Sequence, residues 1–159
     1  MKIQDSGTRR EFETGSVRDA ESGKGRYDLI PFLPHHNLAK HYESGCEKYG
    51  DRNWERGQPL RVYLDSGMRH WTKFMAGMRD EDHLSASNWN SYCYQWTENE
   101  IIEGRLPYSL TEGLNPVLLK HIDEKRAERL TKEIREAGNI FGGDLLYVDS
   151  PIWTWIPVW

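Results

Sequence analysis

Only two cysteines, Cys46 and Cys93, occur in the 159 residues. They are too few and too far apart for a zinc module or a disulfide framework. No apolar run approaches the length of a membrane span, and no signal-peptide core is legible at the start. These absences set the expectation of a soluble protein in a reducing compartment, the cytoplasm. An excess of positive charge is also missing: 21 Lys and Arg stand against 25 Asp and Glu, for a net charge of −4. The basic footprint that a nucleic-acid polymer demands is therefore absent. A protein that handles free nucleotides meets no such objection, because metal ions neutralise the phosphates. There is no internal repeat, no low-complexity segment and no Walker-type glycine spacing.

Aromatic residues, in contrast, are abundant, with seven Trp and eight Tyr. Such side chains bury large areas or stack on flat ligands, and composition does not choose between the two. Residues 1–33 are polar and glycine-rich and read as a loop wrapping onto the body. A first helix is expected from Asn37, as N-cap, to Tyr49, with Gly50 ending it. A second runs from Leu60 to about Ala76, with Leu64, Met68, Trp71 and Met75 turned inward. Asp65, Arg69 and Lys73 line up on its side at steps of four, the spacing of a solvated ion-pair row. A third runs from about Asp82 to Ile102, with Leu84, Tyr92 and Trp96 as core, and a charged fourth covers 115–137. The expected fold is mainly α, a helical bundle ending in a short C-terminal β-hairpin or extended tail. Residues 1–110 form the expected catalytic domain and 111–159 an appendage for docking or oligomerisation.

Three groups of residues could carry chemistry. Glu43 and Glu47 lie four apart on the first helix, and Asp80, Glu81 and Asp82 precede the third. Carboxylates projecting from facing helices suit Mg²⁺, which prefers oxygen ligands and keeps several waters. The same spacing is common among solvated surface carboxylates. His70 and His83 stand beside these elements and could bind a metal or donate to a phosphate, although a lone histidine is more often a packing residue. His35, His36 and His41 show no metal spacing. Finally, Lys24, Arg26 and Lys48 sit beside glycines, where cations can approach phosphate oxygens, while Trp54 or Tyr49 could stack on a base.

The ordered runs Phe12–Asp19, Gly23–Pro31, Lys48–Trp54 with Gly57, Asp65-Ser66, Arg69-His70, Asp80–Leu84 and Trp89-Asn90 resemble the phage-encoded family called dATP/dGTP diphosphohydrolase, N-terminal domain. The resemblance covers about residues 10–110. It implies cleavage of a purine deoxynucleoside triphosphate to monophosphate and pyrophosphate, in the host cytoplasm. It also implies kinship with all-α, MazG-like nucleotide pyrophosphatases, which bind Mg²⁺ through helix-borne carboxylates and usually oligomerise. The MazG-type signature, clustered Glu on one helix and Glu-x-x-Asp on the next, is not present in a clean form.

On this reading Mg²⁺ or Mn²⁺ is held by Glu43, Glu47, Asp82 and His83, with Asp65 in support. Glu47, His70 and Lys48 are the expected catalytic residues, Glu47 orienting the water. Lys24, Arg26, Lys48 and Arg69 offset phosphate charge, and Asn53, Trp54 and Asn90 read the base or sugar. The expected partners are a nucleotide and further copies of the chain, with neither nucleic-acid polymer nor membrane. Two alternatives stand beside it. A non-catalytic protein that sequesters a nucleotide would use the same cations and aromatics without the carboxylates. An HD-type hydrolase releasing triphosphate needs a His-Asp dipeptide, and the chain has Asp82-His83 instead. In the segment 145–159, Trp153, Trp155 and Trp159 alternate with Ile152, Thr154, Ile156 and Val158, so both faces of a hairpin there are largely apolar and it is expected to dock on the body or on a second subunit.

Overall fold

The computed structural model describes residues 7–20 and 23–140, with side chains to 137. Its elements are a two-stranded hairpin, β1 (Arg9–Glu11) and β2 (Val17–Asp19), followed by four helices. The helices are α1 (Phe32–Tyr49), α2 (Leu60–Met75), α3 (His83–Ile102) and α4 (Pro116–Ile140). The mainly α expectation holds. The Trp-rich hairpin expected over 145–159 lies outside the described residues. Among the described residues, no helix is long and apolar enough to cross a membrane.

The N-terminal segment is not only loop. Arg9 pairs with Asp19 and Glu11 with Val17 in antiparallel register, around a turn in which Gly15 takes φ 80°. Helix α1 begins five residues before the expected Asn37 cap. Pro34 sits in its first turn, where backbone N–H groups have no intrahelical partner, so a proline costs nothing there. Gly50 ends it as expected, at φ 87°.

Helix α2 departs from its expected packing. Leu60 and Tyr63 are fully buried, whereas Leu64, Met68, Trp71 and Met75 are 39–68% exposed. The reason lies at Gly67. A Cβ there would stand 3.4 Å from Asn90 Cβ and 3.8 Å from Ser87 O, so the glycine face is the one that lets α3 come close. Ser87 Oγ donates to Gly67 O at 3.1 Å across that contact.

Helix α3 is the central element, packed by α1, α2 and α4. Asp82 caps it, accepting from Ser85 N at 3.0 Å and from Ser85 Oγ at 2.6 Å. Its buried line is His83, Ala86, Asn90, Cys93, Thr97 and Ile101, at steps of three and four. Half of these are polar, so a hydrophobic-period reading misplaces the face. Tyr92, expected in the core, is 55% exposed.

Part of the aromatic load among the described residues builds the core. Trp54 meets Trp96 edge-on at 5.0 Å and Tyr42 at 6.0 Å, and Trp89 meets Tyr42 and Tyr63 at 6.2 and 6.1 Å. Helix α4 starts at an Asn115 cap, whose Oδ1 accepts from Val117 N and Leu118 N. It buries Ile122 and sends Arg126 to Ile101 O at 2.8 Å, placing a cation at the carbonyl end of α3.

Candidate functional site

A cleft of about 730 Å³ opens between α1, the loop after it, α2 and the start of α3. That is ample for a nucleotide-sized ligand. Of the residues expected to act, Lys48, Asn53, Trp54, Arg69, His70 and Asn90 line it together. They come from α1, the α1–α2 loop, α2 and α3, so no local spacing announces the gathering. Arg69 has only a 4.0 Å approach to Asp65, an exposed pairing that holds neither side chain firmly. Lys48 Nζ lies 5.1 Å from the ring centre of Tyr49, which also lines the cleft and is 63% exposed. Trp54 makes T-shaped contacts with Tyr42 and Trp96, which tie it to the core.

Glu43 and Glu47 are exposed and are not part of the cleft lining. On α1 the cleft-facing positions include Tyr42, Cys46 and Tyr49. Glu43 and Glu47 each follow one of the first two, about 100° around the helix. Asp82 is also exposed, with both carboxylate oxygens engaged by Ser85. The expected cage of Glu43, Glu47, Asp82 and His83 is therefore not assembled. Lys24 pairs with Asp19 at 2.8 Å, and Arg26 pairs with Asp28 through both its Nε and Nη2. Neither of these cations lines the cleft.

What does gather is a different set. His70 Nδ1, His83 Nδ1 and Glu81 Oε1 form a triangle with edges of 3.1, 3.2 and 3.4 Å. Among the described residues this is the group of three or more His, Cys, Asp or Glu atoms close enough to hold a metal ion. The His83 side chain is fully buried, and its Nε2 faces Asp80 Oδ1 at 3.0 Å. Glu81 and His70 border the cleft. Burial holds the His70 pKa below its usual value, with Glu81 opposing that shift. The Asp80 carboxyl lies below the ordinary carboxylate range, held by its own backbone and then by His83. Burial likewise lowers His41, with Glu81 and Asp82 opposing.

Sequence reasoning named His70 and His83 but did not pair them, and it counted Asp80 and Glu81 among the candidate carboxylates but not among the metal ligands. A partial signal was available: His70 lies in the last two turns of α2, Asp80-Glu81-Asp82 in the short connection, and His83 at the start of α3, so one turn links them. A family model described as dATP/dGTP diphosphohydrolase, N-terminal, matches residues 14–103. That span contains the whole cleft lining and the histidine–carboxylate cluster. No curated protein and no solved structure matches the chain.

Proposed function

The chain belongs to the dATP/dGTP diphosphohydrolase, N-terminal, family, and on that premise we propose that it hydrolyses dATP or dGTP to the monophosphate and pyrophosphate. The observation that carries the reading is the cleft inside the matched span, where Lys48 and Arg69 meet polar and aromatic side chains. Water adds to the α-phosphorus, the bond to the bridging oxygen breaks, and pyrophosphate leaves. Lys48 and Arg69 bind the triphosphate and offset the charge that builds on it. Asn53 and Asn90 contact sugar or base, and the exposed ring of Tyr49 offers the base a stacking surface. Mg²⁺ or Mn²⁺ is the proposed cofactor of the triphosphate, supplying charge neutralisation and a more acidic water. Lys24 and Arg26 are assigned no role, because both are held by nearby aspartates.

The test is product analysis. The protein is incubated with each purine deoxynucleotide and Mg²⁺ or Mn²⁺, and the products are separated by ion-exchange chromatography. Monophosphate with pyrophosphate is the expected result, and no turnover of any purine nucleotide sinks the proposal. A second reading, release of intact triphosphate with the nucleoside, draws on one observation. The Asp80 carboxylate reaches His83 beside His70, a His–Asp pair in space that the sequence lacks as a dipeptide. Triphosphate among the products would select it. The proposed homo-oligomer rests on the exposed apolar row of α2.

A further inference from the structure

We propose that His70, Glu81 and His83 form a resident site for a nitrogen-preferring first-row transition ion, of which Zn²⁺ is the best match, and not for Mg²⁺. This deepens the reading above by naming a cation of the same cleft; it rests on that reading for what the ion does there, not for whether it binds.

The geometry comes first. A tetrahedral ion with bonds of about 2.0–2.1 Å spaces its ligand atoms about 3.3 Å apart. The three donor atoms stand at 3.1, 3.2 and 3.4 Å from one another, so they already outline one face of that tetrahedron. Donor chemistry points the same way. Two imidazole nitrogens and one carboxylate oxygen suit Zn²⁺, Co²⁺ or Fe²⁺, whereas Mg²⁺ asks for oxygen ligands in an octahedron. The carboxylate cage that would favour Mg²⁺ is the arrangement this structure does not assemble.

The surroundings prepare the triangle. Asp80 Oδ1 faces His83 Nε2 at 3.0 Å, which keeps the proton on that nitrogen and turns the Nδ1 lone pair inward. Glu81 Oε1 is a second lone-pair atom, so without an ion one proton on His70 Nδ1 must serve both. A cation satisfies all three at once. His83 is sealed beneath, with its side chain 0% exposed, while Glu81 lies 45% exposed at the rim. The fourth ligand position therefore opens on the cleft, the pattern of a catalytic rather than a closed structural ion. Lys73 Nζ also approaches Glu81 Oε1 at 3.9 Å, a contact the ion would displace.

The experiment uses the full chain, stripped with EDTA, dialysed and kept free of nucleotide. Co²⁺ is titrated in and its visible ligand-field absorption followed, then Zn²⁺ or Mg²⁺ is added. Saturation at one Co²⁺ per chain, displacement by Zn²⁺ and no displacement by a roughly hundredfold excess of Mg²⁺ is expected. Asp80→Asn should weaken Co²⁺ binding by about 10–100-fold without changing the shape of the spectrum, as a positioning residue does. His70→Ala should abolish the absorption. Should that variant fold poorly, imidazole NMR of the unaltered protein replaces it. Zn²⁺ should then shift the ring signals of His70 and His83 and leave those of His35, His36 and His121 in place. Displacement of Co²⁺ by Mg²⁺, absence of tight Co²⁺ binding, or unmoved His70 and His83 signals overturns the proposal. Because no nucleotide is present, such failure leaves the diphosphohydrolase reading standing, and failure of turnover leaves this site standing.

Discussion

Gly67 on α2 faces Asn90 on α3 so closely that a Cβ at Gly67 would touch the Asn90 Cβ at 3.4 Å. This contact sets the approach of the two helices whose ends carry His70 and His83. Gly67→Ala just fits and gains helix propensity, so stability should stay within about 1 kcal/mol of the parent. Gly67→Val adds atoms with no room and should cost about 1–3 kcal/mol. Urea unfolding of both variants checks this, and an equally mild valine variant would show that the helices are free to separate.

Charge removal on α1 and α2 should divide their residues. Glu43→Gln and Glu47→Gln should leave kcat/KM within about twofold, because both side chains are exposed outside the cleft lining. Lys48→Ala and Arg69→Ala each remove a charged donor from the cleft and should cost about 1.5–3 kcal/mol, or roughly ten- to hundredfold in kcat/KM. Steady-state kinetics on all four decide it. A collapse of activity in Glu47→Gln would restore the carboxylate cage.

Two aromatics of one cleft should behave oppositely. Trp54→Ala breaks edge-on contacts to Trp96 and Tyr42 and should destabilise the fold by about 3 kcal/mol. Tyr49→Ala, at a 63% exposed position, should change stability by less than about 0.5 kcal/mol while raising KM. Thermal melts and KM values together test the assignment of base stacking to Tyr49.

The two thiols should differ in reactivity. Burial pushes the Cys93 thiol up to about 11, whereas Cys46 is partly exposed. An aromatic disulfide reagent at neutral pH should therefore label Cys46 and leave Cys93 until the chain unfolds. The folded state holds the Cys93 proton more tightly than the unfolded one. Its contribution to stability is thus complete below the ordinary thiol pKa and is lost as pH rises from there toward 11. Cys93→Ala should remove that part of the alkaline loss.

The exposed row of α2 gives the last expectation. Met68 and Met75 are 65% and 68% exposed, with Trp71 between them at 45%. Apolar side chains in such a row are commonly covered by a partner. Trp71→Glu should lower the oligomeric mass in sedimentation while circular dichroism stays unchanged. An unaltered mass, or a monomeric parent protein, overturns an oligomer built on this row.

Some of this was settled by the chain alone. Most helix bounds followed from local chemistry: Gly50 as a stop, and ends near Leu60, Ala76, Asp82 and Ile102, whereas the start of α1 did not. These devices act over one turn, so a linear reading finds them. The family was legible for a similar reason, since its runs keep their order along residues 10–110. On α2 and α3, which face turned inward was decided only by packing. On α2 the glycine beat the larger apolar stripe, because close approach of α3 needs a missing side chain more than it needs Leu64 or Met68. On α3 the inward line is half polar, so periodicity pointed elsewhere. The triangle of His70, Glu81 and His83 is likewise tertiary. Its atoms meet only because the turn between α2 and α3 brings two helix ends together, a distance that spacing in sequence does not encode.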